Sequence, residues 1–512
     1  MIATVYTAGL CGIEGFEIAV ECSAGHKTPR FDLVGFGDTA VKEAKERILS
    51  AMENSAIPFP PLDILVNLAP ADRRKEGSSM DMAILLSILA AARTFPATLN
   101  LSDKSFFGEL SLSGEIRGVN GILCLVLAAR DAGRKEIYVP ASNAAEASVV
   151  DGVTVYGVSH IKELLSYLRG DSIPVPTVYD KRTFVRRTQR VNVDFSDVMG
   201  QVRAKRALEV AAAGGHNVLL IGPPGAGKSM LAKRLPDILP DFSFEEALES
   251  TKIHSVAGML NENILTSRPF RSPHHTVSPV AMVGGGAVPK PGEISLAHGG
   301  VLFLDELPEF SKTLTESLRQ PLEDGEVTIT RAKGRVRYPS RFMMVCAMNP
   351  CKCGNFGNPE KPCTCKPGDV RRYLDRISGP LLDRIDIQVE MSPVSFNDIH
   401  GKGRPGEPSA VIRERVNRAR LFSAARYEAD GVAERTNAEL SPANIRRYCA
   451  LDEESTELLR KAFDVMGLSA RGHDRILKVA RTVADLAGSE KITKMHLAEA
   501  IALRSLDKRY WR

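Results

Sequence analysis

The sequence predicts a multidomain α/β protein built in three parts. Short strand-like runs alternate with helical runs over residues 1–168, an apolar strand enters a glycine-rich loop near mid-chain, and the last part is helical. With 512 residues, the chain is long enough for three domains of ordinary size. We therefore expect a domain at 1–168, a basic linker at 169–192, a core at 193–395 and a helical region at 396–512.

Residues 1–168 are predicted to form a self-contained α/β or α+β domain. The strand-like runs are 18–22, 64–68, 107–111 and 136–139, and the helix-like runs are 39–52, 79–92 and 122–132. Pro174 and Pro176 then break the pattern. The basic residues that follow, up to Arg190, indicate an exposed connector.

The core contains the most informative motif of the chain. An apolar strand at 217–221 runs into Gly222, Pro223, Pro224, Gly225, Ala226, Gly227, Lys228 and Ser229, and a helical run follows. This pattern is typical of a phosphate-binding loop, because glycines let backbone amides close around phosphate oxygens. Lys228 is expected to reach the β- and γ-phosphates, and the Ser229 hydroxyl to complete a Mg²⁺ shell.

Two more strands are expected in the same sheet, at 301–304 and 342–348. The first ends in Asp305 and Glu306, and the second ends in Asn349. A carboxylate at Asp305 can hold Mg²⁺ through water, while Glu306 can polarise an attacking water. The alternative is two solvated acids at the end of a buried strand. Ligands bind at the carboxyl ends of such parallel strands, so these side chains are expected to meet there.

The third part is predicted to be helical after a polar, Gly/Pro-rich stretch at 400–408. Ser441 followed by Pro442 is a good helix start. Apolar residues recur at helical spacing between Ile476 and Ala484, which predicts a helix with one buried face.

Composition narrows the class of protein. Hydrophobic residues make up 44% of the chain and charged residues 25%, which is typical of a soluble globular protein. No stretch approaches a membrane span and no secretory leader is visible, so we expect a cytoplasmic protein without a membrane partner. The net charge of +5 does not by itself indicate nucleic acid.

The motifs of the core resemble those of AAA+ ATPase modules. Residues 222–229 and 305–306 are similar to the Walker A and Walker B elements. Asn349, Arg384 and Arg471 stand where this superfamily carries sensor 1, the arginine finger and sensor 2. The resemblance implies that Arg384 would stabilise the charge that develops on the γ-phosphoryl oxygens. It also implies that Asn349 would orient the attacking water and that Arg471 would report the nucleotide state to the helical lid.

The finger assignment has alternatives. Arg384 could instead form an ion pair with Asp383 or Asp386, and Arg376 is the second candidate for the finger. Arg475 is the alternate for sensor 2. A finger supplied by a neighbouring subunit implies a ring, since such an arginine does not easily reach its own subunit's nucleotide.

From end to end, the chain resembles the ComM/YifB family of magnesium-chelatase-like AAA+ proteins. The resemblance implies ATP and Mg²⁺ as cofactors and a homo-oligomeric ring, expected to be a hexamer. It also implies a helicase or translocase that moves branched or single-stranded DNA, in natural transformation or recombination. The alternative is a motor that remodels a protein partner, as the chelatase motor does.

Two cationic segments are candidates for contact with DNA. One is the Gly/Pro-rich stretch at 268–292, which carries Lys290, and the other is a predicted hairpin at 325–338, which carries Lys333 and Arg335. Contacts to the phosphate backbone without readout of bases suit a translocating motor. The alternative is a solvated hairpin.

Four of the nine cysteines form a cluster, Cys351, Cys353, Cys363 and Cys365. In a reducing compartment two such pairs favour tetrahedral Zn²⁺ over disulfides. Free or redox-active thiols are the alternative. The cluster begins two residues after Asn349, so a metal there could stiffen the loop between sensor 1 and the finger.

The first domain resembles the proteolytic domain of Lon, a Ser-Lys peptidase. Ser79 lies at the start of a helix, as the family's nucleophile does, but Leu125 occupies the position of its catalytic lysine. A hydroxyl without a nearby amine lacks its base. Lys75 is close in sequence but would need a different geometry. We therefore expect a non-proteolytic domain that assembles the ring or binds DNA.

Overall fold

The structure is a computed structural model of the whole chain. It describes all residues except 27, 36, 189–192, 287–288, 332–333, 359–360, 394–405, 433, 507–509 and 512, and it describes the backbone alone at 185–188, 331 and 334. Within these described ranges, no helix is long and apolar enough to cross a bilayer.

The N-terminal domain is a mixed sheet of eight strands. In spatial order, the strands are Pro176–Thr177, Thr154–Val158, Glu136–Pro140, Lys104–Phe106, Ile2–Cys11, Glu14–Gly25, Asp63–Ala69 and Arg30–Val34. The helices are Thr39–Asn54, Asp81–Ala91, Ile122–Asp131, Ala144–Ala147 and Ile161–Arg169, and a small hairpin pairs Glu109–Leu110 with Ile116–Arg117. The helix Asp81–Ala91 is buried along nearly its whole length, so it forms the centre of this domain's core.

Two predictions in this region need correction. The expected strand at 107–111 is not continuous: one strand ends at Phe106 and the next begins at Glu109, because Gly108 between them has a φ of +151°. The expected connector also contains a helix, Lys181–Thr188. Its Phe184 is buried edge-to-face against Phe244, so apolar packing holds this segment on the core.

The core is a five-stranded parallel sheet, as the fold class predicts. The strands follow the order Phe270–Arg271, Val301–Leu304, Met343–Met348, Val218–Ile221 and Ile387–Glu390. The three central strands are buried at every position, which explains their uninterrupted apolar sequences. Helices cover both faces, and the fold class expected for the core is thereby confirmed.

Short elements surround this sheet. The helices are Val202–Gly214, Lys228–Arg234, Phe244–Ala257, Pro279–Val283, Glu293–Leu296, Lys312–Ser317, Arg319–Asp324, Pro367–Leu374 and Gly379–Leu382. Two hairpins project from it, Gly284–Gly285 with Lys290–Pro291, and Glu326–Arg331 with Gly334–Pro339. The second confirms the hairpin expected at 325–338.

The C-terminal region is helical, as expected. Its helices are Ser409–Ala429, Pro442–Tyr448, Glu453–Met466, Ala470–Leu486 and Lys494–Ala502. The boundary expected at 395–396 lies outside the described residues. The first and fourth of these helices pack on Val202–Gly214 and share one hydrophobic cluster with the sheet, so this region and the core form a continuous body.

Candidate functional site

The phosphate loop follows the buried strand Val218–Ile221 and leads into the helix Lys228–Arg234. Gly225 and Gly227 have φ values of +81° and +86°, a region that side chains rarely adopt. The chain therefore forms a tight loop here, and the backbone amides of this loop lie just before the N-terminus of the helix. That arrangement favours an anion.

Four of the predicted site residues meet at the carboxyl ends of the strands. Lys228 Nζ donates hydrogen bonds to Asn349 Oδ1 at 3.0 Å and to Gly222 O at 2.7 Å. Ser229 Oγ donates to Asp305 Oδ2 at 2.6 Å. A carboxylate that already holds the serine hydroxyl is suited to share a Mg²⁺ ion with it.

Glu306 lies beside this group with an unusual backbone. Its φ is +55°, which is rare for a residue with a side chain and common at functional sites. Its carboxylate extends into solvent, and His275 Nδ1 lies 3.7 Å from it. Sequence reasoning gave His275 no role, although the residue lies in the cationic insertion.

Burial changes the protonation of the loop lysine. Lys228 is only 9% exposed, and the loss of hydration lowers the pKa of its ammonium from 10.5 to about 8. Asp305 and Glu306 favour the charged form but do not offset burial. A triphosphate in the loop would supply the negative charge that restores the ordinary pKa.

The predicted finger and sensor-2 arginines lie elsewhere. Arg384 comes just before the strand Ile387–Glu390, and its carbonyl accepts a hydrogen bond from Asn217, which precedes Val218–Ile221. Arg384 therefore lies at the amino ends of the strands, opposite the phosphate loop. Four residues of a parallel strand span about 13 Å, so the amino and carboxyl edges of the sheet are well separated.

Arg471 and Arg475 lie near Arg384 at this edge. All three line a cavity of about 750 Å³ between the sheet and the C-terminal helices. Arg475 donates to Asp386 Oδ1 at 2.6 Å, and the contact holds the pKa of this buried carboxyl far below its usual range. The structure thus does not bring sensor 2 to the phosphate loop of its own chain.

Arg384 itself is 5% exposed and partly paired. Its guanidinium donates to Pro380 O at 2.7 Å and forms an ion pair with Glu323. The observed partner is neither Asp383 nor Asp386, the two residues that the sequence offered as an alternative ion pair. Glu323 was missed because it lies 61 residues away and no local pattern connects the two.

The second candidate for the finger lies at the phosphate edge. Arg376 donates to Glu309 Oε2 at 2.8 Å and to Pro308 O at 3.3 Å, in the segment that follows Asp305 and Glu306. Arg376 therefore lies on its own chain's nucleotide side, whereas Arg384 faces away from it.

The four clustered cysteines do converge. Their sulfur atoms all lie within 4.8 Å of one another, and Cys351 Sγ is 3.3 Å from Cys353 Sγ and 3.7 Å from Cys363 Sγ. Tetrahedral Zn²⁺ with four thiolates needs sulfurs about 3.8 Å apart, so Cys351, Cys353, Cys363 and Cys365 fit such an ion. A hydrogen bond from the Asn355 backbone lowers the pKa of Cys353, whereas the pKa values of Cys351, Cys363 and Cys365 are raised above that of a free thiol.

This cysteine loop also touches the phosphate loop. A Cβ placed on Gly354 would lie 2.4 Å from Pro224 Cδ, so the two loops pack without a gap. Asn349, which begins the same segment, contacts Lys228. The loop that carries the cysteines therefore packs directly on the phosphate loop.

Of the predicted DNA contacts, Lys290 and Arg335 are exposed, while Lys333 lies outside the described residues. Arg335 lies in the strand Gly334–Pro339, and Lys290 begins the strand Lys290–Pro291. Tyr338 Oη donates to Pro289 O at 2.8 Å, which joins the two cationic segments.

The Lon-like residues do not form a dyad. Leu125 is 1% exposed, in a helix buried on most sides. Lys75 is fully buried, and its ammonium donates to the Pro70 carbonyl. Ser79 is half-buried. The Lys75 ammonium is bound to Pro70 O and not to the Ser79 hydroxyl. The absence of peptidase activity in this domain stays a prediction.

Family comparisons cover nearly the whole chain. The family described as "Magnesium chelatase, subunit ChlI" matches residues 194–399. "Subunit ChlI of Mg-chelatase" matches 20–143, and "Magnesium chelatase, subunit ChlI C-terminal" matches 406–504.

Individual proteins are also similar. The chain is 41% identical over 507 residues to competence protein ComM of Haemophilus influenzae, covering 99% of this chain and 98% of that protein. It is 41% identical over 511 residues to the uncharacterized protein YifB of Escherichia coli, with the same coverage. Lon protease 2 of Bacillus subtilis is 28% identical over 146 residues, which are 27% of this chain and 26% of that protein.

Proposed function

We propose, since this chain belongs to the ComM/YifB family of magnesium-chelatase-like AAA+ proteins, that it forms a ring in which ATP hydrolysis moves DNA. The observation that carries the proposal is the separation of two half-sites. Lys228, Ser229, Asp305 and Asn349 lie at one edge of the parallel sheet, and Arg384 lies at the other.

Neither half-site can support ATP hydrolysis alone. The phosphate edge can bind ATP and Mg²⁺, and Glu306 can polarise the attacking water. The charge that builds on the γ-phosphoryl group needs a further cation, and Arg384 does not turn across the sheet to supply it. Head-to-tail packing brings the Arg384 edge of one subunit to the phosphate loop of the next, and such packing closes into a ring.

Mixing two inactive variants tests this arrangement. Lys228→Ala and Arg384→Ala should each lose hydrolysis, the second by about 10³-fold or more. The two variants are mixed in equal amounts and allowed to exchange subunits. About a quarter of the contacts between neighbouring subunits (the seams) then join an intact loop to an intact Arg384, so activity should return to about a quarter of wild type. If both groups act within one subunit, the mixture stays inactive and the proposal fails.

DNA is the proposed substrate because two exposed cations, Lys290 and Arg335, lie on segments that are joined to each other. Glu323, the partner of Arg384, lies in the helix Arg319–Asp324, which leads directly into the hairpin strand Glu326–Arg331. A change at the seam can therefore reach the DNA-contacting segment through a short covalent path.

The test for DNA is stimulation of the ATPase by forked or single-stranded DNA. The double variant Lys290→Ala with Arg335→Ala should bind DNA more weakly, and its log affinity should fall less steeply with log salt, by about two phosphate contacts. Lys233→Ala, which removes an exposed lysine near the loop, is the matched control. Stimulation by a protein partner alone would favour the chelatase-like remodelling function instead.

A structural Zn²⁺ ion at Cys351, Cys353, Cys363 and Cys365 is part of the same proposal. When bound, it would cross-link the segment that follows Asn349 and stiffen the contact between Gly354 and Pro224. The cysteines would then position the nucleotide loop without touching the reacting atoms.

A further inference from the structure

The two cationic segments behave as one block. Met282, from the helix before the first hairpin, belongs to the same hydrophobic cluster as Val327, Ile329 and Tyr338 of the second hairpin. Tyr338 is fully buried, and its hydroxyl is bound to Pro289 O, one residue before Lys290. Because the contacts are buried, a movement of the strand that carries Arg335 must also move Lys290.

A turn of the N-terminal domain contacts this pair of hairpins. The turn joins the strands Ile2–Cys11 and Glu14–Gly25 through Gly12 and Ile13. Gly12 has a φ of +66°, and a Cβ there would lie 2.5 Å from Val336 Cγ1 of the hairpin. Ile13 is half-buried and packs against the cluster that contains Tyr338. This contact joins residues more than 300 positions apart.

The N-terminal domain is also attached to the core at a second place. Its helix Ile122–Asp131 packs on the core helix Phe244–Ala257. The Gly121 amide donates to Ser255 O at 3.0 Å, and Ser255 Oγ donates to the half-buried Glu146. This second contact does not involve the hairpin. It fixes the N-terminal domain on the core, so the turn at Gly12 and Ile13 keeps a fixed position against the hairpin 326–339.

We propose that the turn Gly12–Ile13 positions the hairpin 326–339 and thereby prepares Arg335 and Lys290 to grip DNA. A hairpin that projects from a sheet loses conformational freedom when it binds a ligand, and a preformed contact removes part of that cost. The Lon-like domain would then act as a brace for the motor. The DNA part of this inference rests on the proposed function, whereas the bracing part does not.

Hydrogen exchange of the free protein tests the brace. Ile13→Ala removes the apolar contact and should speed exchange of the amides in Glu326–Arg331 and Gly334–Pro339 by about fivefold to tenfold. Exchange in Phe244–Ala257 should stay unchanged. Leu112→Ala, which shortens a leucine that is 57% exposed in the same domain, is the control and should leave the hairpin unchanged. Unchanged hairpin exchange in Ile13→Ala would overturn the inference.

A variant on the other side of the contact covers the case in which Ile13→Ala disturbs its own domain. Val336→Ala leaves the N-terminal core intact, and it should speed exchange at the amides of Cys11 and Glu14, the strand pair that closes the turn. Ile13→Val should restore wild-type exchange in the hairpin. If Val336→Ala leaves the amides of Cys11 and Glu14 unchanged, the two elements are not coupled and the inference is wrong.

The DNA part has its own readout. Ile13→Ala should bind forked DNA about fivefold more weakly than wild type, with its ATPase rate without DNA unchanged. Equal DNA affinity in the two proteins would overturn the gripping role. If wild type binds no DNA at all while hairpin exchange responds to Ile13→Ala, the proposed DNA function is wrong and the brace remains.

Discussion

Raising the pH from 7 to 9 is expected to weaken ATP binding by this protein, because the loop lysine loses its proton in that range. Burial lowers the pKa of Lys228 to about 8 in the free protein. The negative charge of a bound triphosphate favours the charged lysine and raises its pKa above the value in the free protein. Since the protonated form binds, the complex must take up a proton wherever free Lys228 is neutral.

The magnitude follows from the pKa of about 8 in the free protein, with the lysine charged in the complex. At pH 7 about nine-tenths of free Lys228 is charged, and at pH 9 about one-tenth is. Affinity for ATP should therefore fall about tenfold between pH 7 and pH 9, and binding at pH 9 should take up about 0.9 protons. Below pH 7 this lysine should contribute no pH dependence, because it is already charged.

Titration calorimetry measures the proton uptake. A non-hydrolysable ATP analogue with Mg²⁺ is titrated at pH 9 in two buffers of different ionisation enthalpy, and the difference in heat gives the number of protons. Lys233→Ala, which removes an exposed lysine from the same helix, should show the same uptake as wild type. Zero uptake at pH 9 together with an affinity that is flat from pH 7 to pH 9 would refute the reasoning.

Three further predictions concern single side chains. Glu306→Gln should bind ATP within about twofold of wild type but hydrolyse it at least about 100-fold more slowly, as measured by phosphate release. Cys353→Ser should lower the zinc content per chain, measured by elemental analysis, from about one to near zero and should raise the KM for ATP. Asp485→Asn should lower the free energy of unfolding by about 3 kcal/mol, measured in urea, because Arg481, which is 1% exposed, loses its ion pair.

Each of these has a matched control in the chain. Glu309→Gln changes the acid three residues after Glu306 and should hydrolyse ATP much faster than Glu306→Gln does. Cys11→Ser removes an exposed cysteine outside the cluster and should keep the zinc content of wild type. Glu457→Gln breaks an exposed helical ion pair and should cost less than about 1 kcal/mol. Equal effects in variant and control would contradict the corresponding assignment.

The phosphate half of the site could be predicted from sequence because each of its residues follows a buried strand in the chain. The apolar runs at 218–221, 301–304 and 343–348 identify neighbouring parallel strands, and their carboxyl ends fall at one edge. Lys228, Asp305 and Asn349 then meet without further information. Local pattern and global topology agree there, so the reasoning from residues to geometry is short.

The rest depends on contacts between residues that are distant in the chain. Nothing local to Arg384 points to Glu323, and nothing in the turn at Gly12 points to Val336. The helix Lys181–Thr188 was also missed, because its basic composition masks one buried aromatic, Phe184. Periodicity reports which face of an element is buried, but it does not report what covers that face.

On the proposed function, the pairing of Arg384 with Glu323 links the seam to the DNA-contacting segment. When a neighbour's γ-phosphate takes the guanidinium, Glu323 loses its cation and is left near the amino edge of the sheet. The helix that carries it ends at Asp324, and Gly325, with a φ of +67°, turns the chain into Glu326–Arg331. The released helix can thus shift the hairpin, while the N-terminal turn limits how far it moves. Hydrolysis removes the phosphate and lets the ion pair re-form, so each ATP would reset the hairpin once.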